Sequence, residues 1–181
     1  MEKSDKQEQR KKNFTYLKTF TVPFSLGEKQ EILTIKTNTP PKPSKEELFN
    51  QAFKFHSQGN IQEAAKCYQH FINQGFNDHR VFSNYGVLLR DLGKLQEAEF
   101  LQRKAIELKP NFTNAFFNLG AILKDLGKLK EAEISTRKAI ELKPDYAEAY
   151  ANLGIILIGI GKSEEAELSY RKAIEIKPDY A

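Results

Sequence analysis

A 34-residue period runs through the last three quarters of the sequence and constrains the fold more than any other feature. The segment RKAIELKP at 103–110 returns unchanged at 137–144 and with one substitution at 171–178. Glycines followed by Lys or Asn recur at the same interval, as Gly59, Gly93, Gly127 and Gly161. Because a fixed period of roughly 20–50 residues is typical of stacked structural repeats, the sequence predicts a solenoid.

The period divides the chain into four units, 45–78, 79–112, 113–146 and 147–180, and each unit has the pattern of two helices. In the third unit, an apolar helical pattern precedes Gly127, and a second one ends at Pro144. Since two short helices cannot bury their apolar faces alone, neighbouring units must stack. Small residues that recur on both helices predict where helices cross: Ala52, Gly86, Gly120 and Gly154, and then Ala64, Ala98, Ala132 and Ala166.

The first 44 residues lie outside the repeats and form an N-terminal basic tail. Residues 1–13 are charged and nearly free of apolar side chains, which predicts disorder. Residues 14–37 contain alternating β-branched and aromatic residues, which favour a short hairpin that needs a packing partner. The segment TPPKP at 39–43 is typical of a stiff linker, and the Ser44–Glu47 spacing predicts a capping box with the first helix starting at Lys45.

Charge and composition exclude several functional classes. Residues 1–44 hold 9 Lys/Arg and 5 Asp/Glu, whereas residues 45–181 hold 19 of each, so the array has no basic excess for nucleic acid. The single cysteine, Cys67, excludes an internal disulfide and a zinc site of usual spacing. No apolar run is long enough for a leader peptide or a membrane span, so a cytoplasmic location is expected, with no membrane partner.

Catalytic patterns are missing as well. The glycines follow the repeat period and form no phosphate-binding loop, and the three histidines have no nucleophile or carboxylate at a recognisable spacing. The sequence therefore predicts a protein that is not an enzyme, with no catalytic residue, metal site or cofactor.

The repeated positions resemble the tetratricopeptide repeat (TPR) over residues 45–180. In the third unit the matching residues are Phe116, Leu119, Gly120, Leu123, Gly127, Ala132, Thr136, Ala139 and Pro144. The resemblance implies an all-α solenoid of four helix-turn-helix repeats that forms part of a right-handed superhelix, with a non-repeat segment before it. The first unit departs from the pattern at Gln51, Phe71 and Phe76, as expected of an end repeat. Gln102 and Thr136 replace a common aromatic and predict thinner local packing.

In this family the first helices line the concave surface, and one position on them stands out. Asparagine recurs there in all four units, as Asn50, Asn84, Asn118 and Asn152. An amide offers both a donor and an acceptor, so such a row could pair with the main chain of an extended peptide. It resembles the asparagine ladder in the TPR arrays of O-linked N-acetylglucosamine transferase-like bacterial proteins. An inherited repeat pattern or a local backbone hydrogen bond would explain the row equally well.

Other residues on the same helices complete the candidate peptide-binding site. Phe49 and Phe117 flank the asparagines, and residues such as Phe53 and Ile155 follow one turn later. His56, Arg90 and Lys124 are expected at the groove edge, where they could favour acidic segments. The fourth unit has Ile158 at that position, so the basic row stops short and general peptide holding is favoured over a carboxylate clamp.

Three hypotheses of function remain open at this point. The first is a non-enzymatic scaffold for protein–protein interaction that binds an extended peptide or a partner protein on the concave face. The second is the targeting module of a transferase whose catalytic domain is absent from this chain. The third is self-association through an uncapped last repeat, where Ile160, Leu168 and Ile174 are expected to be partly uncovered; light scattering over a concentration series tests it, and a mass fixed at 20.8 kDa contradicts it.

Overall fold

The computed structural model describes residues 17–18, 35–36 and 43–180, which fall into two units divided after Pro43. In the first unit, strand β1 (Leu17–Lys18) pairs antiparallel with strand β2 (Ile35–Lys36). Both strands belong to the segment for which the sequence predicts a hairpin. The rest of that segment, residues 1–13 and most of the Pro-rich linker lie outside the described residues.

Over residues 43–180, eight α-helices form four helix-turn-helix pairs, followed by a 3₁₀ turn at Pro178–Tyr180. This arrangement confirms the predicted all-α solenoid. In chain order the helices are α1 (Lys45–Ser57), α2 (Ile61–Asn73), α3 (His79–Asp91), α4 (Leu95–Leu108), α5 (Thr113–Asp125), α6 (Leu129–Leu142), α7 (Ala147–Ile160) and α8 (Ser163–Ile176).

Local sequence signals fix where these helices begin and end. Ser44 caps α1 with the predicted capping box: its hydroxyl accepts from the Glu47 amide at 3.2 Å, and the Ser44 amide donates to the Glu47 carboxylate at 2.7 Å. Between α5 and α6, Gly127 has a φ of 74°, a left-handed conformation that favours glycine. Its amide donates to the carbonyl of Lys124 at 2.9 Å, which closes the turn.

Each helix packs against the next one, and each first helix also contacts the first helix of the following pair. The buried side chains form four clusters, and partly buried residues link neighbouring ones: Tyr85 packs against both the first and the second, and Ile106 against both the second and the third. The core is therefore a continuous seam along the array, as the stacking argument predicts.

The recurring small residues lie at the helix crossings inside each pair, as predicted. A Cβ added to Gly154 of α7 would lie 2.7 Å from a ring carbon of Tyr170 on α8. A Cβ added to Gly120 of α5 would lie closer still to the hydroxyl of Thr136 on α6. On the second helices, Ala98 and Ala132 are fully buried. A side chain no larger than hydrogen or methyl is what lets the two backbones approach.

The expectation of thinner packing at Gln102 and Thr136 is wrong, because both side chains are fully buried. The Gln102 amide nitrogen donates to the Ser83 carbonyl at 2.8 Å, and the Ser83 hydroxyl donates to the Gln102 side-chain oxygen at 3.0 Å. Polar side chains with satisfied hydrogen bonds therefore fill the space that an aromatic ring occupies at Tyr68 and Tyr170.

The first pair docks on the second in a different way from the later pairs. Helix α2 approaches α3 at fewer points than α4 approaches α5 or α6 approaches α7. Aromatic rings fill the wider gap: Tyr68 stacks on Tyr85 at a centroid distance of 5.6 Å, and Phe71 packs against Phe76 at 5.4 Å. Both Tyr68 and Phe71 are fully buried. The atypical residues of the first unit thus build an interface of their own.

The two ends of the array differ in polarity. Helix α1 places Glu47, Gln51 and Lys54 at exposed positions, and the equivalent positions of the later first helices hold mainly buried apolar residues. This agrees with the capping role predicted for the first unit. At the other end, Leu168 and Ile174 of α8 are exposed.

Candidate functional site

The first helices α1, α3, α5 and α7 share a surface, called here the first-helix face, which carries residues 49–56 and their equivalents at 34-residue intervals. Side-chain contacts join neighbouring first helices along it. The Asn118 amide on α5 donates to the Ser83 hydroxyl on α3 at 3.2 Å, and Arg90 Nε on α3 lies 2.6 Å from a carboxylate oxygen of Asp125 on α5. These contacts join the predicted site residues of α3 and α5.

The asparagine row is only partly exposed. Asn50 is exposed, Asn84 and Asn118 are half-buried, and Asn152 is only 8% exposed. The Asn152 amide donates to the Thr136 hydroxyl at 3.4 Å. Exposure thus falls from the first repeat to the last, and the last asparagine is part of the core.

Asn84 also interacts with a side chain of the preceding repeat. Burial raises the pKa of Tyr68 to about 12, and a hydrogen bond with the Asn84 side chain opposes part of that increase. At Asn84, Asn118 and Asn152, the amide partner is therefore a side chain on another helix. A local backbone hydrogen bond, the alternative considered for this row, is not the contact found at these three positions. The amides join helices, and their use by a ligand remains a prediction.

The two predicted aromatic residues already have partners within the array. Phe49 stacks on Phe53 at 6.1 Å between ring centroids, and the Arg80 guanidinium lies 4.2 Å from the Phe49 centroid. Phe117 packs against Tyr146 at 4.9 Å. Both rings are half-buried.

Apolar exposure on the first-helix face is concentrated at its two ends. Phe53 on α1 is 51% exposed, and Ile155 and Ile158 on α7 are 49% and 57% exposed. Between them, the positions equivalent to Phe53 and Ile155 hold half-buried Val87 and buried Ala121. Because Ile155 and Ile158 lie three residues apart on one helix, they form an adjacent exposed pair.

The predicted basic row is partly neutralised. Arg90 forms its short ion pair with Asp125, and Lys124 Nζ lies 3.9 Å from the other oxygen of the same carboxylate. His56 contributes little charge, because burial lowers its pKa while Asp91 opposes that decrease. Its Nδ1 lies 3.3 Å from the Tyr68 hydroxyl. Both cations share Asp125, and Lys124 has the longer contact with it.

Sequence reasoning missed three residues that shape this surface. Ile158 was interpreted only as the end of the basic row, although it is the most exposed apolar residue of the face. Asp125 was not considered, although it pairs with Arg90. Gly159 occupies the position equivalent to Asp91 and Asp125, so aligning the units at that position would have revealed the missing acid.

A second concave region lies between α6, α7 and α8. It has a volume of about 450 Å³ and includes Tyr150, Leu153 and Leu168 in its lining. Arg137 and Glu165, which form an ion pair of 2.7 Å, also line this region. Its α7 residues point away from Ile155 and Ile158, so it is separate from the first-helix face.

Within residues 17–18, 35–36 and 43–180, no helix combines the length and apolarity needed to cross a membrane. Over the same residues, no three His, Cys, Asp or Glu side chains are grouped so that they could hold a metal ion.

Several solved structures share this fold. The crystal structure of MamA aligns with a TM-score of 0.70 at 22% identity, covering 75% of this chain and 80% of that one. The MamA 41-end structure from Desulfovibrio magneticus RS-1 aligns with a TM-score of 0.68 at 24% identity, covering 75% and 76%. At these identities the likeness shows the fold alone.

YrrB is a further similar structure, described as a TPR protein with an unusual peptide-binding site. It aligns with a TM-score of 0.69 at 26% identity, covering 76% of this chain and 71% of YrrB. No curated protein matches the sequence. Residues 48–176 match the family of the cilia and flagella-associated protein 70 middle TPR-like domain. The match spans more than half of the chain and all four helix pairs, so the chain belongs to this TPR-like family.

Proposed function

We propose that this chain is a non-enzymatic scaffold that holds an extended segment of a peptide or partner protein on its first-helix face. The observation that carries the proposal is the exposed pair Ile155 and Ile158 on α7. Helix α7 has one charged residue, Glu148, so its exposed surface is apolar. Adjacent exposed aliphatic residues on a face of otherwise hydrogen-bonded side chains favour contact with a partner.

Two further observations support the same face. Phe53 provides a second exposed apolar residue on α1, so a ligand that spans the array would meet apolar contacts at both ends. The structural neighbour YrrB is a TPR protein described as having a peptide-binding site. The transferase-targeting alternative and self-association through the last repeat stay predictions, and the exposed Leu168 and Ile174 are what supports the latter.

Replacing both Ile155 and Ile158 with serine should weaken peptide binding about tenfold. Full burial of an isoleucine is worth about 1.5–3 kcal/mol, so covering two half-exposed side chains is worth roughly 1.5 kcal/mol, or about one decade in Kd. Fluorescence anisotropy measures this with a labelled soluble probe that has a Gln-Leu-Leu-Gln core between Gly-Ser spacers. The core of the probe carries no charge, so its side chains form no ion pairs with the protein.

A matched control replaces Phe100 and Ile134, which are 59% and 70% exposed on the second helices α4 and α6. The Phe100→Ser/Ile134→Ser variant removes similar exposed apolar surface away from the first-helix face, so its affinity should equal that of the wild type. Equal losses in both double variants, or no binding by the wild type, would contradict the proposed face.

The Asn84→Ala/Asn118→Ala variant tests the proposed role of the asparagine row. If the amides pair with the ligand main chain, the same probe should bind at least about fivefold more weakly, at about 0.5–1.5 kcal/mol for each lost hydrogen bond. Because Asn118 also bonds to Ser83, the melting curve must be recorded beside the titration. Unchanged affinity in a variant that melts like the wild type would rule out the row as a ligand contact.

A further inference from the structure

On the first-helix face, an acid from the next repeat lies near the basic position of the preceding one. Arg90, near the end of α3, pairs with Asp125, the last residue of α5, at 2.6 Å. One repeat earlier, Asp91 at the end of α3 is near the equivalent position, His56, and opposes the lowering of the His56 pKa by burial, although His56 itself carries little charge. Each acid stands one position beyond the equivalent cation of its own helix.

Gly159 interrupts this pattern at the last repeat. It occupies the position of Asp91 and Asp125, so the following repeat offers Lys124 no acid at that position. Lys124 shares Asp125 at 3.9 Å with Arg90, which is much closer to that carboxylate. Arg90 and Lys124 thus share Asp125, and because Lys124 has the longer contact, its charge is less fully compensated than that of Arg90.

Aliphatic residues lie next to the place where the acid is missing. A Cβ on Gly159 would lie 2.9 Å from Leu129 Cδ1, so a leucine side chain fills that space. The exposed Ile158 stands at the α7 position equivalent to Lys124, and Ile155 lies one turn earlier. The next repeat therefore offers Lys124 apolar surface instead of a counterion.

We propose that this end of the first-helix face selects acidic extended segments, with Lys124 binding a carboxylate while Ile155 and Ile158 contact a neighbouring aliphatic side chain. The inference rests on the proposed function and specifies its ligand. A carboxylate of the ligand pairs with Lys124 as Asp125 pairs with Arg90. An aliphatic neighbour in the ligand covers the isoleucines, so charge and apolar contacts coincide in a single short segment.

The experiment compares two labelled probes on the full chain by fluorescence anisotropy. One has a Glu-Leu-Leu-Glu core and the other a Gln-Leu-Leu-Gln core, both between Gly-Ser spacers. The wild type should bind the acidic probe about fivefold more tightly at low salt, the range of a surface ion pair. The preference should shrink at high ionic strength.

Gly159→Asp supplies the missing internal acid and should abolish the preference for the acidic probe. Gly159→Asn is the matched control, since it has the same size without the charge and should keep the preference. Aspartate is already accepted at this place in α3 and α5, and only the end of the flexible Leu129 side chain must move. Lys124→Gln is an independent variant that should also abolish the preference without adding a side chain at 159.

The outcomes separate this inference from the proposed function. If both probes bind the wild type equally, or if Gly159→Asp and Lys124→Gln keep the preference, the acidic selectivity is overturned while peptide holding stands. If neither probe binds, the proposed function itself is overturned. A loss of preference in Gly159→Asp and Lys124→Gln but not in Gly159→Asn supports the inference.

Discussion

Phe71→Ala is expected to lower the free energy of unfolding of the first helix pair by about 3–5 kcal/mol. This is expected even though alanine stands at the equivalent position in the other three repeats, as Ala105, Ala139 and Ala173. Phe71 is fully buried and packs against Phe76 in the aromatic interface between the first two pairs. Removing the ring leaves a cavity between helices that are spaced to hold it.

Denaturant unfolding and hydrogen exchange measure this effect. Because repeat arrays unfold with stabilities set by each repeat and its neighbours, the loss should appear as faster exchange in α1 and α2, with α5–α8 little changed. Phe71→Leu is the control: it keeps much of the volume and should cost about 1 kcal/mol. A Phe71→Ala variant as stable as the wild type would mean that α2 can close onto α3 at the spacing of the later pairs.

Gln102→Leu is expected to destabilise the array by about 1–3 kcal/mol, although leucine is apolar and of similar size. The Ser83 hydroxyl donates to Gln102 in a fully buried position and would lose that acceptor. A buried polar group without its partner costs more than an average hydrogen bond contributes. Chemical denaturation of the single variant measures the loss.

The double variant Ser83→Ala/Gln102→Leu separates hydrogen bonding from packing. With both polar partners removed, no buried hydroxyl lacks an acceptor, so much of the stability should return. A coupling energy of about 1 kcal/mol or more between the two sites is expected from a double-mutant cycle. Additive losses would instead assign the cost of Gln102→Leu to packing. Asn118 also donates to Ser83, so the same variant reports how far the core supports the first-helix face.

The helices, their order and their stacking could be predicted from the sequence because the same two-helix pattern recurs in four units. Local chemistry decides three of these features: the positive-φ turn at Gly127, the capping box at Ser44 and the small residues at helix crossings. Such local signals can be read from the sequence alone. The same reasoning failed at Gln102. A polar residue at an aromatic position suggested a gap, and the partner that fills the gap, Ser83, lies 19 residues away.

The candidate site was less predictable for the same reason. The asparagine row is obvious in sequence, but the burial of Asn152 depends on how α7 packs on α6. The basic row is equally visible, yet the state of Arg90 depends on an acid 35 residues further along. The exposure of Ile155 and Ile158 could not be known before the faces of α7 were assigned.

The sequence by itself determined the repeat length, the helix pairs and the family of this chain, since each follows from short-range patterns repeated in register. Only the tertiary structure decided which members of a repeated row remain open to a partner. Equivalent positions have equivalent backbones, but their neighbours differ: Asn50 faces solvent, whereas Asn152 contacts Thr136. Arg90 pairs with Asp125, whereas the position equivalent to Asp125 in the next repeat is Gly159. Burial and ion pairing are properties of those contacts, so they appear only when the repeats are stacked.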